Sequence, residues 1–233
     1  MCFSASASFT GSAVIAGVGI ATLLQVRDRN AWLLAAIPML FALHQMLEGL
    51  VWLGIDGRLP LPWPHLAGQL YALYAQGLLP MIMPLAVWCW IPVHERRRIL
   101  PFLLAGIGLS LYNLWALATL PTDVGQCGHS ITYHNSRTRE MLVALVYIAV
   151  TCGALLASCR RWLVIMGLAN LVGLSIVALW RMWAFTSVWC FYAAMISVMV
   201  YWHFRRARLE EDRRVQMAKD VEEYAPERHI HEG

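Results

Sequence analysis

The stretch WLLAAIPMLFALHQMLEGLVWLGI, residues 32–55, decides the fold. It is apolar throughout, with one acid, Glu48, and one histidine, His44. A spanning helix needs roughly 20 such residues to cross a hydrocarbon layer of about 30 Å. Residues four apart share a helix face, so His44, Glu48 and Trp52 form one stripe. A charged side chain at depth costs about 2.5–3.5 kcal/mol on insertion scales. It has to face other helices, water or a counter-ion. This one segment therefore implies both a bilayer and a polar site within it.

The remainder of the chain agrees. Of 233 residues, 59% are apolar and 14% charged, with a mean hydropathy of +0.56. Soluble domains carry about 25% charged residues. Eight of the 14 acids follow position 208, and of all 14 only Glu48 falls well inside an apolar run. The expected fold is all-α, a polytopic bundle of seven transmembrane helices over residues 1–204. The spans are about 6–25, 32–55, 65–92, 99–119, 141–159, 162–181 and 184–204. Pro80 and Pro84 are expected to kink the third. Residues 205–233 form a charged cytoplasmic tail, read as a solvated extension with a weak amphipathic helix pattern at Leu209, Val215, Met217 and Val221. The first span has no basic residue before it and is read as retained rather than as a cleaved signal.

Arginine and lysine set the orientation. With the N-terminus outside and the C-terminus inside, the inner segments hold 14 of the 18 basic residues. The three short inner loops alone hold seven against four on the outer side (Arg58, Arg137, Arg139 and Arg181). The net charge of +4 thus reports topology and not nucleic-acid binding. Trp52, Trp63, Trp180, Trp183 and Trp189 are expected near the outer interface. Small residues Ser8, Ser12 and Ala16, with Ala13 and Gly17 beside them, give the first helix a close-packing face and no other role. The loop at 121–140 is long enough to fold over the outer mouth.

Several polar groups share the outer half of this arrangement. Arg181 at the outer end of the sixth span is a candidate counter-ion for Glu48, with Asn170 on its face. Gln45 adjoins the His44/Glu48 pair, and Gln69 and Gln76 share a stripe of the third span. In the seventh, Ser187, Cys190, Ala194, Ser197 and Tyr201 repeat at three- and four-residue spacing, a small or polar stripe facing the interior. Met followed by Cys favours removal of the initiator, which leaves Cys2 with an amine and a thiol able to chelate a metal or act as a nucleophile. Cys2, Cys127 and Cys190 fall on the outer side, where they allow a disulfide plus a free thiol, or a ligand set with His44, Glu48 or His129. A transition metal such as zinc or copper is the candidate cofactor, although no CxxC spacing is present.

Absent patterns exclude other classes. The chain has no Walker or Rossmann glycine motif. Its only lysine is Lys219 in the tail, so a retinal Schiff base in the seventh span is ruled out. No core-facing histidine pair suits a two-haem bundle, and a lone buried carboxylate argues against a proton wire of several acids.

The opening MCFSASASF, the LHQMLEGLVWL of the second span and the SVWCFYAAMISVMVYWHF of the seventh together resemble a family of uncharacterised bacterial multi-pass membrane proteins that begin Met-Cys-Phe-Ser, a domain of unknown function. The resemblance covers residues 1–204 and implies that Cys2, Glu48 and Cys190 recur together. It implies no activity. The seven-helix zinc hydrolases of the alkaline ceramidase and adiponectin-receptor kind are similar in helix number, but they use a histidine pair in the last helix, where this chain has Cys190 and an inner His203. The expected function is an outward-facing intramembrane pocket in a bacterial inner-membrane protein, binding a metal ion or small ligand in a sensor, carrier or assembly role. The alternatives are a metal-dependent intramembrane hydrolase or thiol oxidoreductase, and a structural subunit with partners in a larger membrane complex.

Overall fold

A computed structural model describes residues 4–127, 130–138, 140–179 and 185–224. The described residues are all-α apart from one small hairpin. Its helices are α1 (Ala5–Leu23), α2 (Trp32–Ile55), α3 (Trp63–Ala72), α4 (Leu79–Trp90), α5 (Leu100–Thr119), α6 (Met141–Ala157), α7 (Arg161–Leu179) and α8 (Phe185–Tyr224). Between α5 and α6 the long loop forms an antiparallel pair, β1 (Asp123–Cys127) and β2 (Ser130–His134), with Asp123 opposite His134 and Cys127 opposite Ser130. Among the described residues, four helical stretches are long and apolar enough to cross a membrane: Ala5–Leu23, Arg29–Ile55, Trp63–Trp90 and Leu100–Thr119. Met141–Ala157 and Arg161–Gly173 are apolar but shorter.

Helix α2 is the centre of the packing. Leu34, Ala35, Ile37, Phe41 and Ala42 join Leu79, Met83, Val87, Leu155, Ile196 and Val200 in the main core. Helix α1 lies against it through small residues. A Cβ on Gly19 would come within 2.9 Å of the Met39 backbone nitrogen, and one on Gly49 within 2.8 Å of the Phe9 ring. Ser12 Oγ donates to the Ala42 carbonyl at 2.8 Å. The buried face of α1 is Ala5, Ser8, Gly11, Ile15, Gly19 and Thr22. Ala13 and Gly17, expected beside the packing face, are exposed instead.

The third span is not one regular helix. Residues Leu73–Leu78, between α3 and α4, form a π-helical turn. The Leu79 N–H reaches the Tyr74 carbonyl, five residues back. Pro80 follows and has no N–H. The carbonyls of Ala75 and Gln76, which that N–H would meet in π or α geometry, need donors from elsewhere. Tyr147 Oη on α6 donates to the Ala75 oxygen at 2.9 Å, and Asn113 Nδ2 on α5 donates to the Gln76 oxygen at 2.7 Å. Neighbouring helices thus repair the break, as buried backbone groups require. One turn on, Gly106 of α5 has no Cβ to collide with the Pro80 carbonyl oxygen.

At the opposite end from the hairpin, Trp162 of α7 stacks on His203 of α8 at 3.9 Å, and Trp90 of α4 meets both edge-on. Arg160 pairs with Glu95 at 2.6 Å, and Arg27 with Asp212 at 2.8 Å. The start of the expected tail is helical: α8 continues unbroken for 40 residues to Tyr224, about 60 Å at the usual helical rise. Leu209, Val215, Met217 and Val221 on this extension are exposed.

Replacing Asn113 with leucine, or Tyr147 with phenylalanine, strands a buried carbonyl, at a cost of about 1–3 kcal/mol. Each variant is expected to melt earlier than wild type in detergent by circular dichroism, while Tyr112→Phe, which makes no such bond, stays near wild type.

Candidate functional site

The polar face of α2 points into the bundle. His44, Gln45, Glu48 and Trp52 are each 4% exposed or less. Gln45 Nε2 donates to Glu48 Oε2 at 2.7 Å, a bond between residues three apart on the same helix. The His44 ring is held by aromatic contacts. It stacks on Tyr71 of α3 with centroids 3.7 Å apart, and Tyr74 lies tilted beside it at 5.1 Å. Tyr71 in turn stacks on Tyr133 of β2 at 4.2 Å. Three rings from α2, α3 and the hairpin therefore form one column.

The hairpin seats this column. Ile131 and Tyr133 alternate along β2 and so share a face. Ile131 is 2% exposed and packs with Ala5, Val51, Trp52 and Ala67. Gly68 of α3 makes room: a Cβ there would lie 2.8 Å from the Val124 side chain. Asn135, at the hairpin's exit, is 1% exposed and ties it to α5. Its Nδ2 donates to the Ala116 and Leu120 carbonyls and to Thr122 Oγ1, at 3.2–3.4 Å, while its Oδ1 accepts from the Arg137 N–H. The loop therefore closes one end of the α2/α3 seam. Burial, together with the neighbouring Glu48 charge, holds the Tyr133 phenol well above its usual range, so it stays protonated and able to donate.

Several buried polar atoms here have no hydrogen-bond partner among the described residues: both ring nitrogens of His44, Trp52 Nε1, Tyr74 Oη, Tyr133 Oη and Ser8 Oγ. Ser8 on α1 and Ser110 on α5 differ from most of the other helical hydroxyls. Thr22, Thr119, Thr151, Ser175 and Ser197 all donate to the carbonyl four residues back, but Ser8 does not. Because α1 and α2 run antiparallel through the Ser12–Ala42 and Phe9–Gly49 contacts, Ser8 lies against the polar turn of α2. Ser8 is fully buried there.

The other expected site residues divide into groups. Cys2, His129 and Arg181 lie outside the described residues, as do the side chains of Cys127, Ser187 and Cys190. Gln69 is exposed, because the π turn between it and Gln76 adds a residue to the helical repeat and breaks the shared stripe. Gln76 is half-buried, with its carbonyl bound by Asn113. Asn170 is buried, and its Oδ1 has no partner among the described residues. Ser197 is buried, with its hydroxyl engaged by the Ala193 carbonyl. Trp52 is packed inside the hairpin cluster and not at a lipid interface, whereas Trp63 is exposed. Among the described residues no three His, Cys, Asp or Glu side chains converge on a metal position.

Tyr71, Tyr133 and Asn135 were not singled out from the sequence. The alternation in SITYH carried a signal for Tyr133, and the pair in YALY carried one for Tyr71. Nothing local marked Asn135, whose partners lie 13 to 19 residues away. A family of unknown function (DUF6629) matches residues 1–215. No curated protein and no solved structure was found to be similar.

Asn135→Ala is expected to loosen the hairpin without unfolding the helices. Hydrogen exchange followed by mass spectrometry should then show faster exchange over residues 123–134 and unchanged protection in α2. Gly68→Leu should do the same by displacing Val124.

Proposed function

The chain belongs to this family of unknown function, and we propose from the geometry of its buried polar face that it is an integral membrane protein with an intramembrane pocket for a small polar ligand. The observation that carries this reading is His44, buried and locked between tyrosines beside Glu48, with neither nitrogen bonded among the described residues. A neutral imidazole always has one donor and one acceptor. Leaving such groups unbonded costs about 1–3 kcal/mol each, and hydrocarbon offers no water to answer them. A guest that bonds to them recovers that cost on binding, which is the physical basis of a ligand site.

The topology proposed with it has seven spans, with α3, the π turn and α4 counted as one, the N-terminus outside and the C-terminus in the cytoplasm of a bacterial cell. Two ion pairs support it. Arg27–Asp212 joins the α1–α2 loop to the tail, and Glu95–Arg160 joins the α4–α5 and α6–α7 loops, so the arginine-rich connections bond to one another. The hairpin side then faces outward. A metal form of the site remains within the proposal if Cys2, Cys127, His129 or Cys190 supplies thiolate or imidazole to complete a set with His44 and Glu48. In that form Arg181 would set the ionisation of Glu48 or hold an anionic group.

Native mass spectrometry and metal analysis of protein purified in mild detergent test this. A retained small molecule, lost from His44→Phe and from Glu48→Gln, is the expected result. A stoichiometric metal lost with Cys2→Ser would move the reading to a metal centre. If nothing is retained and the paired substitutions leave stability and assembly unchanged, the pocket is a structural polar contact and the chain is better read as a subunit of a complex.

A further inference from the structure

The end of the bundle opposite the hairpin carries arginines that no acid answers. Arg161 opens α7, and Arg205 and Arg206 stand where α8 leaves the bundle; all three are exposed. Among the described residues none of the three forms an ion pair. Of the acids on the next turn of α8, Glu211 and Asp212 bond to Arg27, which leaves Glu210. Arg205 Nη1 donates to Tyr201 Oη at 2.8 Å, and the Arg206 guanidinium lies 4.9 Å from the centre of the Trp202 ring. Both side chains thus fold back one turn toward the apolar part of α8.

The apolar surfaces beside these arginines follow one line. Ile165, Leu168 and Val172 are exposed on α7 and, at three- and four-residue spacing, share a face with Arg161. Met195, Val198 and Trp202 are exposed on α8 and lead to Arg205 and Arg206 in the same way. Trp162, at the start of α7, stacks on His203 of α8, while α7 ends at Leu179, close in sequence to the start of α8 at Phe185. The two helices are therefore antiparallel neighbours. At about 100° per residue, Trp162 lies about a quarter-turn from the exposed stripe of α7, and His203 slightly more from that of α8. In an antiparallel pair these offsets bring both stripes to the same side.

Resting on the membrane reading above but not on its pocket, we propose that this face of α7 and α8 binds an anionic phospholipid. The phosphate sits at Arg161, Arg205 and Arg206, and an acyl chain lies along the two stripes. Apolar stripes that end in guanidiniums complement an amphiphile with a phosphodiester head. A soluble anion would meet the arginines and leave the stripes uncovered. A zwitterionic lipid brings its own ammonium beside the phosphate and gains less from them.

The test uses the full-length protein in phosphatidylcholine vesicles that carry a small, equal fraction of either dibrominated phosphatidylglycerol or dibrominated phosphatidylcholine, with bromine quenching of tryptophan as the readout. The brominated phosphatidylglycerol is expected to quench more, and Trp202→Phe to remove most of that excess. Arg161→Gln and Arg206→Gln should each lower the preference for phosphatidylglycerol about fivefold, the worth of one arginine near an anionic headgroup. Arg213→Gln with Arg214→Gln, a larger charge change farther along α8, should leave it. Unchanged quenching by the brominated phosphatidylcholine shows that each variant is folded and inserted. Equal quenching by the two lipids, or a preference that the distant pair lowers as much as Arg206→Gln does, overturns the proposal and leaves the membrane reading standing. Loss of the preference to millimolar inorganic phosphate at constant ionic strength assigns the arginines to a free anion and overturns it too. If neither brominated lipid quenches any tryptophan, the chain does not sit in the bilayer and both readings fall.

Discussion

The Glu48 carboxyl, 1% exposed on the central helix, organises the hairpin half of this molecule. Away from bulk water, such a group tolerates only surroundings that bond to it or exclude its alternatives. Gln45 answers one oxygen from the same helix. Tyr71 and Tyr133 bring phenols to the neighbourhood from α3 and β2. The packing follows from this need: α1 approaches through Gly19 and Ser12, α3 supplies the ring under His44, and a hairpin from far along the chain covers the end.

The same rule, that backbone polar groups must be satisfied without water, shapes the third span. Pro80 removes a donor where the helix has already widened into a π turn. The two stranded carbonyls are met by side chains from α5 and α6, so three helices are tied together at a single defect. The widening has a second consequence. It re-aims the residues before it relative to those after it. Tyr71 and Tyr74 face His44 while Gln69 turns away from the bundle. π turns recur near functional sites, and here the turn lies directly beside the polar face of α2.

The hairpin belongs to the site rather than serving as a mere connection. A surface loop is usually free to vary. This one is pinned at its exit by the four hydrogen bonds of Asn135 and seated on Gly68 by Val124, and it buries Ile131 in the core. The hairpin end of the His44 column is thus covered by a small sheet held by one asparagine.

The sequence by itself determined the long apolar segments of the chain, their helical class and the place of the polar anomaly. Those properties depend on composition and on the i, i+4 period, both local along the chain. Glu48, His44 and Gln45 were legible because an acid, a histidine and an amide stand out inside WLLAAIPMLFALHQMLEGLVWLGI. What surrounds them was decided only in three dimensions. The ring column joins residues 44, 71 and 133, and no local pattern registers contacts across such distances. The π turn was hidden because the carbonyls it leaves open are met by Asn113 and Tyr147 on other helices, and it undid the stripe expected for Gln69 and Gln76. The hairpin lay in a polar loop whose fold depends on Asn135 finding the end of α5. Period and hydropathy report which face of a helix is apolar, whereas the partner of a buried polar atom is set by where another segment of chain comes to rest.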